Sequence, residues 1–495
     1  MVVPAPQRVG GDAVASAKPD ELAEPAKPGS NSLIDDAVRA KRMKHGEMLA
    51  AIHAGTFKVG LGDLPLAVVL GLLSTQDCLL LPMVNRILGA SCRRESFALD
   101  LAKGNRRVSA SLVIRFARAG YFRIGNTWLH KDFVTKELEE LVVLPGFYDS
   151  VHTLSLHGCK QLTSVSPIGH CIALRSLDVS WCAKLKCIDG LNGCVNMQTL
   201  SLTECNRLLH IKGLGSCKSL KMVYLSWCEQ LHDISGFDGC ESLQNLQLTG
   251  CAWLSDLKGL STCKGLQTLN LSKLQRLKDI SELAGCSSLW SLNLADCSQI
   301  SDVAALANCP SLRQLDLSGC ARLRNVDGLG ECRHLRKIDL SGCGQLVDIS
   351  SLGGCEALEE VDLSNSARLV DVDALGDCAK LRELDLFNCA KVLSVSQLGS
   401  CKQLTSLNLS GCKQLIDVAG LAECESLEWL DLSVCDNLQS VAALKNCKKL
   451  TSLNLSNCRS LPDIRGLAGC AELHMLNLDG TESERALDSS AAIAL

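Results

Sequence analysis

The amino-acid sequence predicts an α/β solenoid: equivalent coils stacked so that their short strands form one parallel sheet, returned by 3₁₀ or short helical turns and preceded by a small helical module. Three observations predict it. From Val151 the chain repeats every 23 residues, through Leu174, Met197 and Leu220 to Leu473, in 14 complete units and a partial one without insertion or deletion. In a unit such as LQTLNLSKLQRLKDISELAGCSS (266–288) the apolar residues fall at positions 1, 4, 6, 12, 15 and 18. Position 21 is cysteine in all 14 complete units and position 9 in 12, with Leu274 and Ser366 the exceptions. At about 150 residues per domain, 495 residues would suggest three domains, but an unbroken period makes 151–480 one array.

Residues 1–30 hold five of the 11 prolines among Ala, Gly, Lys and Glu and read as a disordered leader. They have no basic stretch leading into an apolar core, and their acidic residues argue against a transit peptide. Residues 31–59 read as an amphipathic helix opened by Asn31 or Ser32, with Leu33, Ile34, Val38, Met43, Met48, Leu49 and Ile52 as its apolar residues. Residues 60–92 divide into two or three short helices at Pro65, the Ser74–Asp77 cluster and Pro82. Their longest apolar run, Leu64–Leu73, is about half of what crosses a bilayer, so no membrane insertion is expected.

Residues 93–150 form a basic connecting region and cap. Between 93 and 131, nine basic side chains stand against Glu95 and Asp100. Tyr121 and Phe122 do not give the interleaved stacking of a single-strand binder, so this reads as the solvated face of connecting helices. The net charge of −4, with 31 basic and 38 acidic side chains after residue 150, gives no electrostatic case for nucleic acid. Residues 481–495 are a tail.

Within each unit, two-residue alternation puts positions 4 and 6 on a buried strand face and positions 3, 5 and 7 on the other. Position 14 is Asp, Asn or Ser in 12 of 14 units, as at Asp233, Asp279, Asn325 and Ser394, which suits a cap or Asx turn opening the return. Positions 15 and 18, one turn apart, then point inward. No single coil can bury these faces, so neighbours must stack.

The cysteines fit that stack. Equivalent positions in adjacent coils lie about 4.7–4.9 Å apart, whereas a disulfide brings Cβ atoms to about 3.8 Å. No CxxC pair or histidine stands at zinc-ligand spacing, so no metal and no cofactor is expected. Reduced core thiols, donating weak hydrogen bonds to backbone carbonyls near the turns, are the reading that remains. They imply a reducing compartment, the cytoplasm, with nucleus or cytoskeleton as alternatives.

The signature LxxLxLxxC, unbroken over 151–480, resembles the leucine-rich repeat family. That resemblance implies a right-handed horseshoe with a concave parallel sheet. The cysteine at position 9 is similar to the subclass found in F-box proteins, and the short return CxxLxDIxxLxxC to that of phosphatase regulators. The N-terminal segment resembles an F-box: Leu64-Pro65, Leu70 with Leu73, Asp77, and Val84 with Arg86 match its motif, with Leu88 where the family has Trp. The F-box resemblance implies that these residues dock an Skp-type adaptor, and that the chain is a substrate receptor of a Skp/cullin/F-box ubiquitin ligase. The alternative is a scaffold or regulatory subunit, of a phosphatase, cytoskeletal or ribonucleoprotein assembly, in which this segment only caps the solenoid.

Partner choice is expected on the open sheet face. Position 5 gives Asp316, Asp339, Asp362, Asp385 and Asp431, and position 3 adds Glu360 and Glu383. These form a strip for a basic partner segment, or one neutralised by Arg313, Arg336, Lys337 and Arg382. Trp181, Met222, Tyr224 and Trp227 toward one end, and Phe387 with Trp429 toward the other, are candidate anchors in a chain of only 17 aromatic residues. No phosphate loop, HExxH or GxSxG occurs, and the sequence points to no enzyme.

Overall fold

The computed structural model describes residues 98–99, 123–124, 126–128, 135–143, 148 and 151–482, all within the second of two compact units, 95–495. The leader, the 31–59 helix and the F-box-like segment lie outside the described residues.

Strand β1 (Ala98–Leu99) pairs in parallel with β2 (Arg123–Ile124). Strand β3 (Asn126–Trp128) opens a sixteen-stranded parallel sheet, continued by β4 (Thr153–Ser155) and then, at 23-residue steps, by β5 (Ser176–Asp178) to β18 (Met475–Asn477). The described part of the stretch read as connecting helices is therefore strand. The sheet also starts one coil before the repeats. That first coil spans 27 residues from Asn126 to its partner Thr153, and its return holds helix α1 (Thr135–Val142), whose Leu138 and Val142 are buried against the first repeat. The Thr135 hydroxyl accepts the Thr163 and Ser164 N–H groups at 3.1 and 3.3 Å.

Each repeat strand is positions 3–5 of its unit, and registers such as Leu292↔Leu315 place every side chain beside its equivalent. Positions 1, 4, 6, 12, 15 and 18 fill a single aliphatic core, as Leu266, Leu269, Leu271, Leu277, Ile280 and Leu283 do in one coil. The returns are 3₁₀ turns, for example Ser281–Gly285, in which Leu283 N–H bonds to the Ile280 carbonyl at 3.0 Å and Cys286 N–H to that of Leu283 at 2.9 Å. Position 14 opens the turn as its residue type predicts. Asp279, Asp302, Asp348 and Asp417 each accept the N–H two residues on at 2.8 Å, and Ser394 does so through its hydroxyl at 3.1 Å.

The thiols form two ladders. In the first, the Cys320, Cys343 and Cys389 thiols donate to the carbonyls of Leu294, Leu317 and Leu363 in the preceding coil, at 3.4, 3.3 and 3.1 Å. In the second, Cys332, Cys355 and Cys378 donate to Leu306, Leu329 and Leu352 at 3.3, 3.2 and 3.4 Å. Ser366 takes the position-9 bond through its hydroxyl, to Leu340 at 3.5 Å. The described cysteines are free, and all but Cys187 are buried.

One feature of the turn is not apparent from the repeat pattern. Position 8 is left-handed in every coil, with φ from +58° to +77°. Gly, Asn and Asp suit it, as at Gly158, Asp296 and Asn365. Trp181, Trp227 and Val434 adopt it too, at φ +63°, +62° and +59°, a conformation that costs a residue bearing a Cβ about 1–2 kcal/mol.

Candidate functional site

The face opposite the core is a set of straight columns, because equal coils repeat each position at one strand spacing, about 4.8 Å. Positions 3, 5, 7 and 8 supply four of them, and the site residues read from the sequence in 151–480 all stand in these columns.

The position-5 acids have a structural duty. One carboxylate oxygen (Oδ1) of Asp316, Asp339, Asp362, Asp385 and Asp431 accepts the N–H two residues on, from Ser318, Ser341, Ser364, Phe387 and Ser433, at 3.0, 2.9, 2.8, 2.7 and 2.8 Å. This Asx turn ends the strand and leads into the left-handed residue. Asn270, Asn408 and Asn454 perform it equally well in other coils. The second oxygen of Asp316, Asp385 and Asp431 accepts an amide from Asn293, Asn408 and Asn454 at 2.8, 3.2 and 3.0 Å. Asp339 and Asp362 have no such neighbour. Burial, and then the flanking Asp339 and Asp385, raise the Asp362 carboxyl above the ordinary carboxylate range.

The four cations near the strip act unequally. Lys337 pairs with Glu360 at 2.6 Å, which raises its ammonium pKa, and Arg336 lies 3.7 Å from Glu359. Among the described residues, Arg313 and Arg382 form no ion pair. The Asp column is thus compensated by backbone N–H groups throughout and by asparagine amides at Asp316, Asp385 and Asp431, rather than by arginines, while Glu383 stays exposed beside it.

The candidate anchors on the face form two patches, while Trp253 and Trp290 are exposed at positions 11 and 2, outside these columns. Met222, Tyr224 and Trp227 share one coil, with the Tyr224 hydroxyl 3.9 Å from the Met222 sulfur, and Trp181 stands two coils away. Phe387 and Trp429 are also two coils apart, and seven coils, or about 34 Å, separate Trp227 from Phe387. Trp181, Trp227 and Phe387 are 51%, 42% and 43% exposed.

Three further residues belong to these columns: Asp178, whose Oδ1 accepts from Ser180 N–H at 3.0 Å; Glu204, between the two tryptophans at position 8; and the exposed Val434. Counting the 23-residue frame back from Asp316 would have found Asp178. Away from the face, Val347, Val370, Leu393 and Ile416 occupy position 13 in four consecutive coils and make an exposed aliphatic stripe. The adaptor-binding candidates Leu64, Pro65, Leu70, Leu73, Asp77, Val84 and Arg86 lie outside the described residues.

The thiols are poor nucleophiles, since burial pushes those of Cys194 and Cys309 up to about 11 and those of Cys217 and Cys355 to about 12. Among the described residues, no group of three or more His, Cys, Asp or Glu is placed to hold a metal ion, and no helix is long and apolar enough to cross a membrane.

The repeats match the profile of the BspA type leucine rich repeat region in six copies, over residues 233–327 and 327–461. No curated protein matches the chain. Among solved structures, an LRR protein of Leptospira interrogans is 19% identical over 72% of this chain and 96% of its own, with a TM-score of 0.50. TLR13, in its complex with ssRNA13, is 19% identical over 76% and 59%, with a TM-score of 0.52. An internalin of Listeria monocytogenes is 20% identical over 76% and 92%, with a TM-score of 0.45. At such identities the likeness is one of fold.

Proposed function

We propose that this chain, a leucine-rich repeat protein, is a non-enzymatic receptor that holds a protein partner on the open face of its sheet. Its architecture suits protein–protein interaction. The observation that carries the reading is the placement of large apolar side chains: the core is closed almost entirely by aliphatic residues and thiols, with Phe237 its one fully buried aromatic among the described residues, yet Trp181, Met222, Trp227, Phe387 and Trp429 are held out in the face columns. Aromatic residues in such settings supply most of the energy at protein interfaces. A photo-crosslinking residue in place of Met222 or Trp429 should capture a partner that the same residue in place of Glu356, outside the face columns, does not. Equal capture from all three sites would refute the face as the binding surface.

The finer reading is an F-box-type substrate receptor of a Skp/cullin/F-box ubiquitin ligase, acting in the cytoplasm. Its support is the sequence pattern Leu64-Pro65, Leu70, Leu73, Asp77, Val84 and Arg86, together with free thiols that fit a reducing compartment. Leu88, at the motif's Trp position, favours the rival scaffold without an adaptor. Purification of wild type beside the double variant Leu70→Asp, Leu73→Asp separates them. An adaptor and a cullin that accompany only the wild type support the ligase role, and their absence from both leaves the scaffold.

A further inference from the structure

Position 8 is where the open face departs most from what its backbone favours. Six coils place Gly there and four place Asn or Asp, but the coils beginning at Leu174, Met197 and Leu220 place Trp181, Glu204 and Trp227, all left-handed. Residues held in a disfavoured backbone region and exposed to solvent point to a use of the side chain rather than of the fold.

The Trp227 ring packs along the column. It lies against Gly250, the next residue of the column, where a Cβ atom would come within 2.6 Å of the ring. The Lys273 ammonium, one coil further, stands 5.9 Å from the ring centroid, so the indole already receives a cation on that side. On its other side is Glu204, one strand spacing from each tryptophan, its residue partly buried. Among the described residues no cation pairs with its carboxylate. The neighbouring Asp178 adds a second negative charge, its Oδ1 turned to the Ser180 N–H and its Oδ2 3.7 Å from His157.

We infer that Trp181, Glu204 and Trp227 form a site for an arginine side chain from a basic segment of the protein partner. The assignment rests on the receptor reading above and names the chemistry of what is received. A carboxylate whose coil lies between those of two exposed tryptophans favours a cation, which gains both the charge and a ring face. The tryptophan backbones stand roughly 9.6 Å apart, two strand spacings, with the Glu204 coil between them, so a flat group that reaches the carboxylate from solvent meets an indole on either flank. Guanidinium is planar, stacks on indole and forks a carboxylate, which an ammonium does not. Glu204 and Asp178 would repel a phosphate backbone, which excludes nucleic acid here.

The test uses the full chain and a fluorescein-labelled Arg-Gly-Gly repeat peptide, with a peptide carrying neutral citrulline at each arginine as its control, read by fluorescence anisotropy. The arginine peptide should bind at least tenfold more tightly. Trp181→Gly and Glu204→Gln should each weaken it at least fivefold, while Asp339→Asn, six coils from Glu204, leaves it within twofold. Trp181→Gly should not lower the melting temperature, because glycine suits that backbone, so a binding loss there is not a folding loss. Failure of the arginine peptide to bind, equal binding of both peptides, unchanged affinity in Trp181→Gly and Glu204→Gln, or an equal loss in Asp339→Asn overturns the assignment. The receptor reading is judged separately: face-specific crosslinks at Met222 would leave it standing after such a failure.

Discussion

Replacing Ser366 by cysteine should stabilise the protein, although serine is the better hydrogen-bond donor. Ser366 is fully buried at position 9, where the adjacent coils carry Cys343 and Cys389. Its hydroxyl reaches the Leu340 carbonyl at 3.5 Å, against 3.3 and 3.1 Å for the two thiols. The coil spacing is set by the sheet, so the shorter C–O bond leaves the hydroxyl at the outer limit of a hydrogen bond. Burying a hydroxyl with a poor partner costs about 1–3 kcal/mol, whereas a thiol behaves as a small apolar group. The stretched bond returns part of that cost, leaving an expected gain of about 1 kcal/mol for Ser366→Cys. The reverse change, Cys343→Ser, should lose about 1–2 kcal/mol by the same reasoning. Urea unfolding under reducing conditions reads both as midpoint shifts, the suitable measure because a long repeat array need not unfold in one step. A lowered midpoint for Ser366→Cys, or none lost in Cys343→Ser, would refute the idea that sulfur is the fitted atom of the ladder.

Gly250→Ala meets two obstacles, a φ of +73° and the Trp227 ring. It should destabilise by about 1–2 kcal/mol from the backbone alone and change Trp fluorescence as the ring moves; an unshifted midpoint would mean that the turn is not held left-handed. The ladder thiols should resist a thiol reagent at pH 8 in the folded protein and react in denaturant, since burial raises Cys217 and Cys355 to about 12; rapid native labelling of ladder thiols, as distinct from the half-buried Cys187, contradicts this. Asp362→Asn keeps the Asx turn and removes a carboxylate flanked by Asp339 and Asp385, so at pH 7 it should stabilise by about 0.2–1 kcal/mol. Because the folded-state pKa of Asp362 is raised, the wild-type penalty is full above that value and vanishes below the unfolded value near 4, and the gain should vanish with it. Asp348 has the opposite sign. The Ser350 N–H lowers its pKa, so its contribution is present above the unfolded value near 4 and lost as the pH falls through the lower folded value, and Asp348→Ala should cost about 1 kcal/mol at pH 7 and progressively less in acid.

Much of the fold was legible because its determinants are local or strictly periodic. Asp279 reveals its role through a bond two residues away, and Leu269 and Leu271 reveal the strand by alternation. Strand β3 was not legible: Asn-Thr-Trp lacks the leucine frame, and the longer coil around α1 breaks the period by four residues. The left-handed turn at position 8 was obscured for a different reason. Gly and Asn announce such a turn, but Trp181, Trp227 and Val434 at the same frame position contradict the announcement, because their side chains were not chosen for the backbone. The acidic column misleads in the converse way. Asp316 and Asp431 look like a charged surface, yet each spends one oxygen on its own turn and the other on a neighbouring asparagine.

A residue in a repeat array can therefore be weighed by what the coil would accept in its place. At position 5 the coil accepts Asn as readily as Asp, since both close the turn, and the presence of Asp says little about a partner. At position 3 the coil accepts Ser, Thr, Lys, Glu and Trp alike, so the fold neither requires nor opposes Trp429 there. At position 8 the coil favours Gly, and Trp181 and Trp227 stand against that preference while facing solvent. Of the three, only the last runs against the backbone's own preference, a cost that Lys273 and Val434 bear as well. Among these left-handed residues Trp181 and Trp227 alone are large aromatics exposed on either side of a carboxylate's coil, and that makes the Trp181–Glu204–Trp227 column, rather than the more conspicuous acidic strip, the part of the face where partner binding should first be sought.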